Sequence, residues 1–129
     1  MDWTENVTGI QHIGIPTNDI EKTIAFYHSL GFETALRTVN EAAGEQVCFL
    51  RLKNLCIETY QNGCAAGKPG AIDHVALDVE DVENAFSKAV QAGYTMLDKE
   101  VQFLPFWEKG VRFFTICLLY TSPSPRDTR

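Results

Sequence analysis

Three side chains in this sequence have the chemistry to hold a divalent metal ion: His12, Glu58 and His74. His12 stands in Ile10-Gln-His-Ile-Gly-Ile15 and His74 in Ile72-Asp-His-Val-Ala-Leu77, each beside alternating apolar residues. Glu58 stands in Leu55-Cys-Ile-Glu-Thr-Tyr60, where Leu55 and Ile57 take one strand face and leave Glu58 on the other. A carboxylate in the middle of a strand is costly unless something pairs with it. Two imidazoles and one carboxylate are good ligands for a first-row divalent ion. An ion so held acts as a Lewis acid on a carbonyl or enediolate oxygen. Taken singly, each histidine reads as a polar residue on an open sheet face and Glu58 as a rim charge. Two histidines at matched positions turn the reading toward a metal site.

The match is an internal repeat. Residues 10–21 align without a gap on residues 72–83, at an offset of 62, and Leu30-Gly31-Phe32 falls over Ala92-Gly93-Tyr94. Each copy reads as strand, turn, helix, glycine stop and aromatic. Ile13 and Ile15 alternate with His12 and Gly14, and Val75, Leu77 and Val79 alternate with His74, so each strand has one apolar face. Asn18-Asp19 and Glu80-Asp81 supply helix N-caps. Ile20, Ile24, Tyr27 and Leu30 form one helical stripe, and Val82, Ala85, Phe86, Ala89 and Val90 form a second. Gly31 and Gly93 sit where a helix C-terminal cap belongs.

Strands follow each helix. The first copy predicts strands over 33–39, 46–52 and 55–61, with Lys53-Asn54 as a two-residue turn. The second predicts strands over 95–104 and 111–116. The expected fold class is therefore α+β, with two tandem β-α-β-β-β modules. Module one covers 7–62, a small-residue linker covers 63–70, and module two covers 71–116 and is incomplete, its fourth strand missing.

Other reactive side chains give weaker signals. His28 lies off the apolar stripe of its helix and reads as solvent-facing. Arg37 and Arg51 could bind an anionic substrate group. Phe103, Pro105, Phe106 and Trp107 suit a ligand-lining loop, a core plug or a dimer contact alike. Cys48, Cys56 and Cys64 are spaced by eight, which fits neither a zinc ribbon nor a redox pair, so buried free thiols are expected at Cys48 and Cys56.

The formal net charge over 129 residues is -6. An acidic surface argues against nucleic acid and against anionic membranes as partners. No apolar run has the length of a transmembrane helix, and the N-terminus lacks the basic start and apolar core of a signal peptide. The expected location is the cytoplasm.

Taken together, Gln11-His12-Ile13-Gly14, Phe26-Tyr27 with Leu30-Gly31-Phe32, Glu58 in its strand and Asp73-His74-Val75-Ala76 resemble the vicinal oxygen chelate superfamily (glyoxalase, bleomycin resistance and dioxygenase proteins). The resemblance covers residues 7–116. It implies two modules closing a U-shaped mixed sheet around one metal. His12, Glu58 and His74 would be three of four ligands, with a fourth Glu in the last strand. It also implies an isomerase like lactoylglutathione lyase, in which Glu58 serves as ligand and proton-transfer base on a chelated substrate such as a glutathione hemithioacetal. The ion would be nickel, zinc, cobalt or manganese, and the protein a homodimer. The alternatives are a methylmalonyl-coenzyme A epimerase-like enzyme and a non-catalytic drug-binding protein of the bleomycin-resistance type.

The last thirteen residues, 117–129, are similar to the translation of a transposon-based sequencing adapter; TGT CTC TTA TAC ACA TCT encodes Cys117 to Ser122. They are expected to be foreign to the fold. Shifting Glu58 by the repeat offset lands on Tyr120, and aligning 47–52 on 111–116 lands on Ser122. The segment contains no Glu. The chain is therefore expected to lack the fourth ligand and to be impaired relative to its full-length parent.

Overall fold

Aspartates open all three helices seen among the described residues, which in this computed structural model are 2–68 and 74–117. Asp2 caps the short helix α1 (Trp3–Asn6), Asp19 caps α2 (Ile20–Ser29) and Asp81 caps α3 (Val82–Gln91). In each, the carboxylate accepts from the backbone N–H three residues on, at 3.2 Å from Glu5, 3.2 Å from Lys22 and 3.0 Å from Asn84. That satisfies one of the donors a helix start leaves unpaired. Gly31 (φ +100°) and Gly93 (φ +79°) follow the last helical turns of α2 and α3, where a left-handed residue stops the helix. Sequence reasoning did not find α1, which has no apolar stripe to announce it and buries no residue.

The chain divides into two compact units, one ending at Ala65 and one beginning at Ala66. The first runs β-α-β-β-β after α1, with β1 (Ile13–Thr17), β2 (Glu33–Asn40), β3 (Glu45–Leu52) and β4 (Leu55–Gln61). The strands form one mixed sheet in the order β1-β4-β3-β2. β1 runs parallel to β4, with Ile13 opposite Ile57 and Gly14 opposite Glu58. β4 and β3 are antiparallel, as are β3 and β2, the latter with a bulge between Thr34 and Leu36. The molecule is thus of the α+β class.

Register and periodicity give the first sheet two unlike faces. Cys48, Leu50 and Ile57 meet Ile20, Ile24 and Phe32 in the buried core, with Ile15, Tyr27, Leu30, Leu52 and Leu55 packed against it. The turn between β3 and β4 is Lys53-Asn54, as expected, and Lys53 takes a left-handed φ of +55°. Near the start of α2, Thr17 and Thr23 share a buried hydroxyl hydrogen bond of 2.7 Å. Gln61 Oε1 accepts from the Ile20 N–H at 2.8 Å, tying the end of β4 to the helix. Burial pushes the Cys48 thiol up, so it stays protonated and inert.

In the second unit α3 precedes four short strands: β5 (Thr95–Met96), β6 (Gln102–Leu104), β7 (Val111–Phe113) and β8 (Ile116–Cys117). β5 pairs with β8 and β6 with β7, both antiparallel. The single strands expected over 95–104 and 111–116 are therefore each split in two. Asp98 is one reason: its side chain accepts from the Thr115 N–H at 2.7 Å, which spends on a carboxylate a donor that a continuous ladder would use. Phe86 of α3 meets Phe114 edge to face at 5.2 Å. The strand expected around His74, with Val75, Leu77 and Val79 on its apolar face, is not formed at 74–79, where all three are exposed. Alternation makes a strand only where the backbone finds a partner and one face is covered. Residues 69–73 and 118–129, which include the linker end and most of the suspected foreign tail, lie outside the described residues. Cys117, the first residue of that tail, is buried in β8 opposite Thr95.

Two stability predictions follow from the first core. The Thr59 hydroxyl is fully buried and has no hydrogen-bond partner among the described residues. Thr59→Val keeps the shape and removes the orphan, and should raise unfolding free energy by about 1 kcal/mol in urea denaturation. A loss of that size would show that the hydroxyl is satisfied. The second concerns Tyr27, whose phenol is pushed up to about 12 by burial. The unfolded chain titrates near its ordinary value of 10.0. The folded state then holds this proton more tightly, so the contribution is fully present below pH 10 and is lost as pH rises toward 12. Tyr27→Phe should flatten the loss of stability across that window, and parallel curves for the two proteins would contradict the assignment.

Candidate functional site

The exposed face of the first sheet is built by the same alternation that builds its core. Ile13, Ile15, Ile57 and Thr59 turn toward α2, so Gly14, Glu58 and Tyr60 turn away. Phe49 lies opposite Glu58 on β3 and shares its face. His12 immediately precedes β1, so it lies one residue outside the strand in which it was expected.

Across the parallel β1–β4 pair, His12 Nε2 and Glu58 Oε1 stand 3.3 Å apart, with side chains 35% and 26% exposed. Both are held yet reachable from solvent. The other ring nitrogen, Nδ1, is hydrogen-bonded to the Gln11 Oε1. That contact directs Nε2 toward Glu58, as an acceptor on the far nitrogen does for a metal-ligating histidine. Phe49 presses edge to face on the imidazole at 5.5 Å between ring centres. Gly14 leaves the floor open: a Cβ there would lie 3.6 Å from the Tyr60 ring and 3.8 Å from Glu58 Oε1.

A metal ion fits this pair. Two donor atoms each about 2.1 Å from one ion stand roughly 3.0–3.4 Å apart at octahedral to tetrahedral angles, and His12 Nε2 and Glu58 Oε1 meet that spacing. Among the described residues no group of three His, Cys, Asp or Glu side chains converges, so these two ligand types are the ones gathered. His74, the third predicted ligand, belongs to the second unit, in an exposed stretch without helix or strand. The position predicted for the fourth ligand lies outside the described residues.

The remaining candidates separate cleanly. Arg37 is bound by Glu21 at 2.7 Å, which lowers the Glu21 carboxyl and raises the guanidinium. His28 is exposed on α2 and hydrogen-bonded to Thr34 at 2.9 Å. Phe103, Phe106 and Trp107 are exposed on and beside the β6–β7 hairpin, with Trp107 88% open to solvent. Among the described residues no helix is long and apolar enough to cross a membrane. Sequence reasoning missed Gln11, Gly14, Phe49 and Tyr60 as neighbours of the pair. The period of two could have found Gly14 and Tyr60; Phe49 needed the cross-strand register.

The sequence matches the family model described as the Glyoxalase/Bleomycin resistance protein/Dioxygenase superfamily over residues 9–103. The uncharacterized protein YwbC of Bacillus subtilis is 30% identical over 113 residues, covering 83% of this chain and 86% of that protein. Among solved structures, the fosfomycin resistance protein FosX of Listeria monocytogenes shares the fold with a TM-score of 0.70 at 17% identity, over 90% of this chain and 89% of its own. A glyoxalase family protein from Enterococcus faecalis does so with a TM-score of 0.65 at 20% identity, over 86% and 91%. At such identities the likeness speaks for the fold alone, but the family match spans most of the chain: this chain belongs to the glyoxalase/bleomycin resistance protein/dioxygenase superfamily.

Proposed function

We propose that the protein is a metal-dependent isomerase of the glyoxalase type, acting on a small substrate that chelates the ion through two neighbouring oxygens. The observation that carries this reading is the 3.3 Å pairing of an imidazole nitrogen and a carboxylate on one open sheet face, with the imidazole oriented by Gln11. His12, Glu58 and His74 would hold the ion, and a Glu beyond residue 116 in the parent frame would complete the set. FosX of Listeria monocytogenes, which shares the fold, forms a complex with Mn(II) in its crystals, in keeping with a divalent ion here.

Bound in this way, the ion supplies Lewis acidity that makes the carbon between two chelated oxygens more acidic. The chain's own residues do the rest. Glu58 has a second carboxylate oxygen to take that proton from one carbon and return it to the next, within reach of the same face. Phe49 and Tyr60 shield one side from water, and Gly14 leaves room for the substrate over the strand. A glutathione hemithioacetal is the first substrate to test. We place the working protein in the cytoplasm, as a homodimer.

A binding protein without chemistry is the second reading. It is favoured by the gathering of only two ligand types among the described residues. Metal decides between them. The parent protein, with its own sequence restored after Ile116, should bind one equivalent of nickel, zinc, cobalt or manganese and isomerise the hemithioacetal. His12→Ala or Glu58→Gln should each cost at least about tenfold in metal affinity. A restored protein that stays metal-free on incubation with all four ions would sink the enzyme reading. Sequencing the parent locus across codon 116 tests the foreign tail: a frame continuing into a strand with a Glu supports it, and the unbroken 129-residue frame contradicts it.

Gly14 gives a separate test. Gly14→Ala should leave stability unchanged or raise it by about 0.4–1 kcal/mol, since its Cβ falls at ordinary contact distances. Gly14→Leu should fold but lose turnover, with metal binding retained. Full turnover by the Leu variant would show that substrate does not lie over this strand.

A further inference from the structure

The described residues include three arginines besides the suspected tail, and two of them are neutralised: Arg37 by Glu21 and Arg112 by Glu83. Arg51 is not. Among the described residues its side chain makes no hydrogen bond and no ion pair, in a chain whose formal charge is -6. With Lys53, Glu33, Thr34 and Ala35 it lines a cleft of about 370 Å³. The cleft gathers two cations against one carboxylate, and Glu33 pairs with neither at salt-bridge distance.

The register places this cation relative to the site. Arg51 follows Phe49 by two residues on β3, so it lies on the same face, and Phe49 is the direct partner of Glu58. Arg51 and Glu58 are therefore diagonal neighbours, with Cα atoms about 7–8 Å apart. An arginine side chain carries its fork several ångströms further, toward the end of the sheet where Lys53 turns the chain. Lys53 itself occupies a costly position. Its φ of +55° favours glycine, and a lysine there gives up turn stability for a charge at that corner.

We propose that Arg51 and Lys53 form an anion subsite, which receives an oxyanion group, carboxylate or phosphate, at the far end of the substrate whose reacting oxygens lie beside His12 and Glu58. The assignment rests on the catalytic reading above for its substrate, but not for its chemistry. A planar guanidinium binds two oxygens of a carboxylate or phosphate side by side, and an ammonium adds a point charge. Glu33 limits the net charge of the cleft to one positive, which tunes the subsite against holding its ligand too tightly. Arg37 cannot serve in its place because Glu21 occupies its fork.

The test is a titration of the full chain, in metal-free buffer, with inorganic phosphate and with acetate, read on the Nε–Hε signal of Arg51 by NMR. The signal should move saturably with at least one probe. Saturation by phosphate assigns a phosphate-type group, and saturation by acetate a carboxylate. Arg51→Gln should weaken binding by roughly tenfold, and Glu33→Gln should tighten it. Lys53→Gly should weaken it while the thermal midpoint stays level or rises, an outcome a purely structural lysine does not give. An Arg51 signal that drifts without saturating, or equal binding by the wild type and the Arg51→Gln and Lys53→Gly variants, would overturn the proposal. No metal takes part in this experiment, so its failure leaves the metal site untouched, and a failed metal titration leaves the subsite untouched.

Discussion

The parallel pairing of β1 with β4 is the constraint on which the rest of the first unit depends. It sets two strands side by side that are separated in sequence by a helix and a hairpin, in the one register that sorts their residues. With Ile13 opposite Ile57 and Ile15 opposite Thr59, one face is committed to α2 and the core. With Gly14 opposite Glu58, the other face receives the carboxylate, and His12 just ahead of β1 reaches it. A slip of one residue would bury Glu58 under α2 and expose Ile57, at the cost of an unpaired charge and a lost core side chain. Stability and chemistry are thus selected by the same register.

The helix enforces that register from the covered side. Gln61, the last residue of β4, holds the first N–H of α2, while Thr17, the last residue of β1, is bonded to Thr23 on the second turn. Both strand ends are therefore tied to one helix end, and that helix is started by Asp19. On the open face the control is looser and more polar. Gln11 and Phe49 hold the imidazole from two directions, and a Cβ on Gly14 would meet both the Tyr60 ring and Glu58 Oε1 at ordinary contact distance. A packed core on one side and a polar, partly exposed pair on the other is an arrangement that a ligand site can use.

Much of this was legible in the residues. The repeat at an offset of 62, the aspartate caps, the glycine stops and the stripe of Ile20 and Ile24 all express local physics, and the strand over 55–61 matches residue for residue. The membership of the family was legible for the same reason, since its motifs are these local signals in a fixed order. What was not legible depends on partners distant in sequence. One contributor to the split of the strand over 95–104 is Asp98, which takes the Thr115 N–H. The unformed strand at 74–79 has the right alternation and lacks covered backbone. Phe49 as the wall of the histidine, and Lys53 in a left-handed turn beside Arg51, come from cross-strand register and turn geometry that no local pattern displays.

The central claim is that His12 and Glu58 bind one divalent ion between them. The most direct measurement is anomalous diffraction at the manganese edge from crystals of the protein grown with Mn(II). The account predicts one strong peak within about 2.0–2.4 Å of both His12 Nε2 and a Glu58 carboxylate oxygen. A peak bound by neither residue, or crystals that hold manganese nowhere, would contradict it.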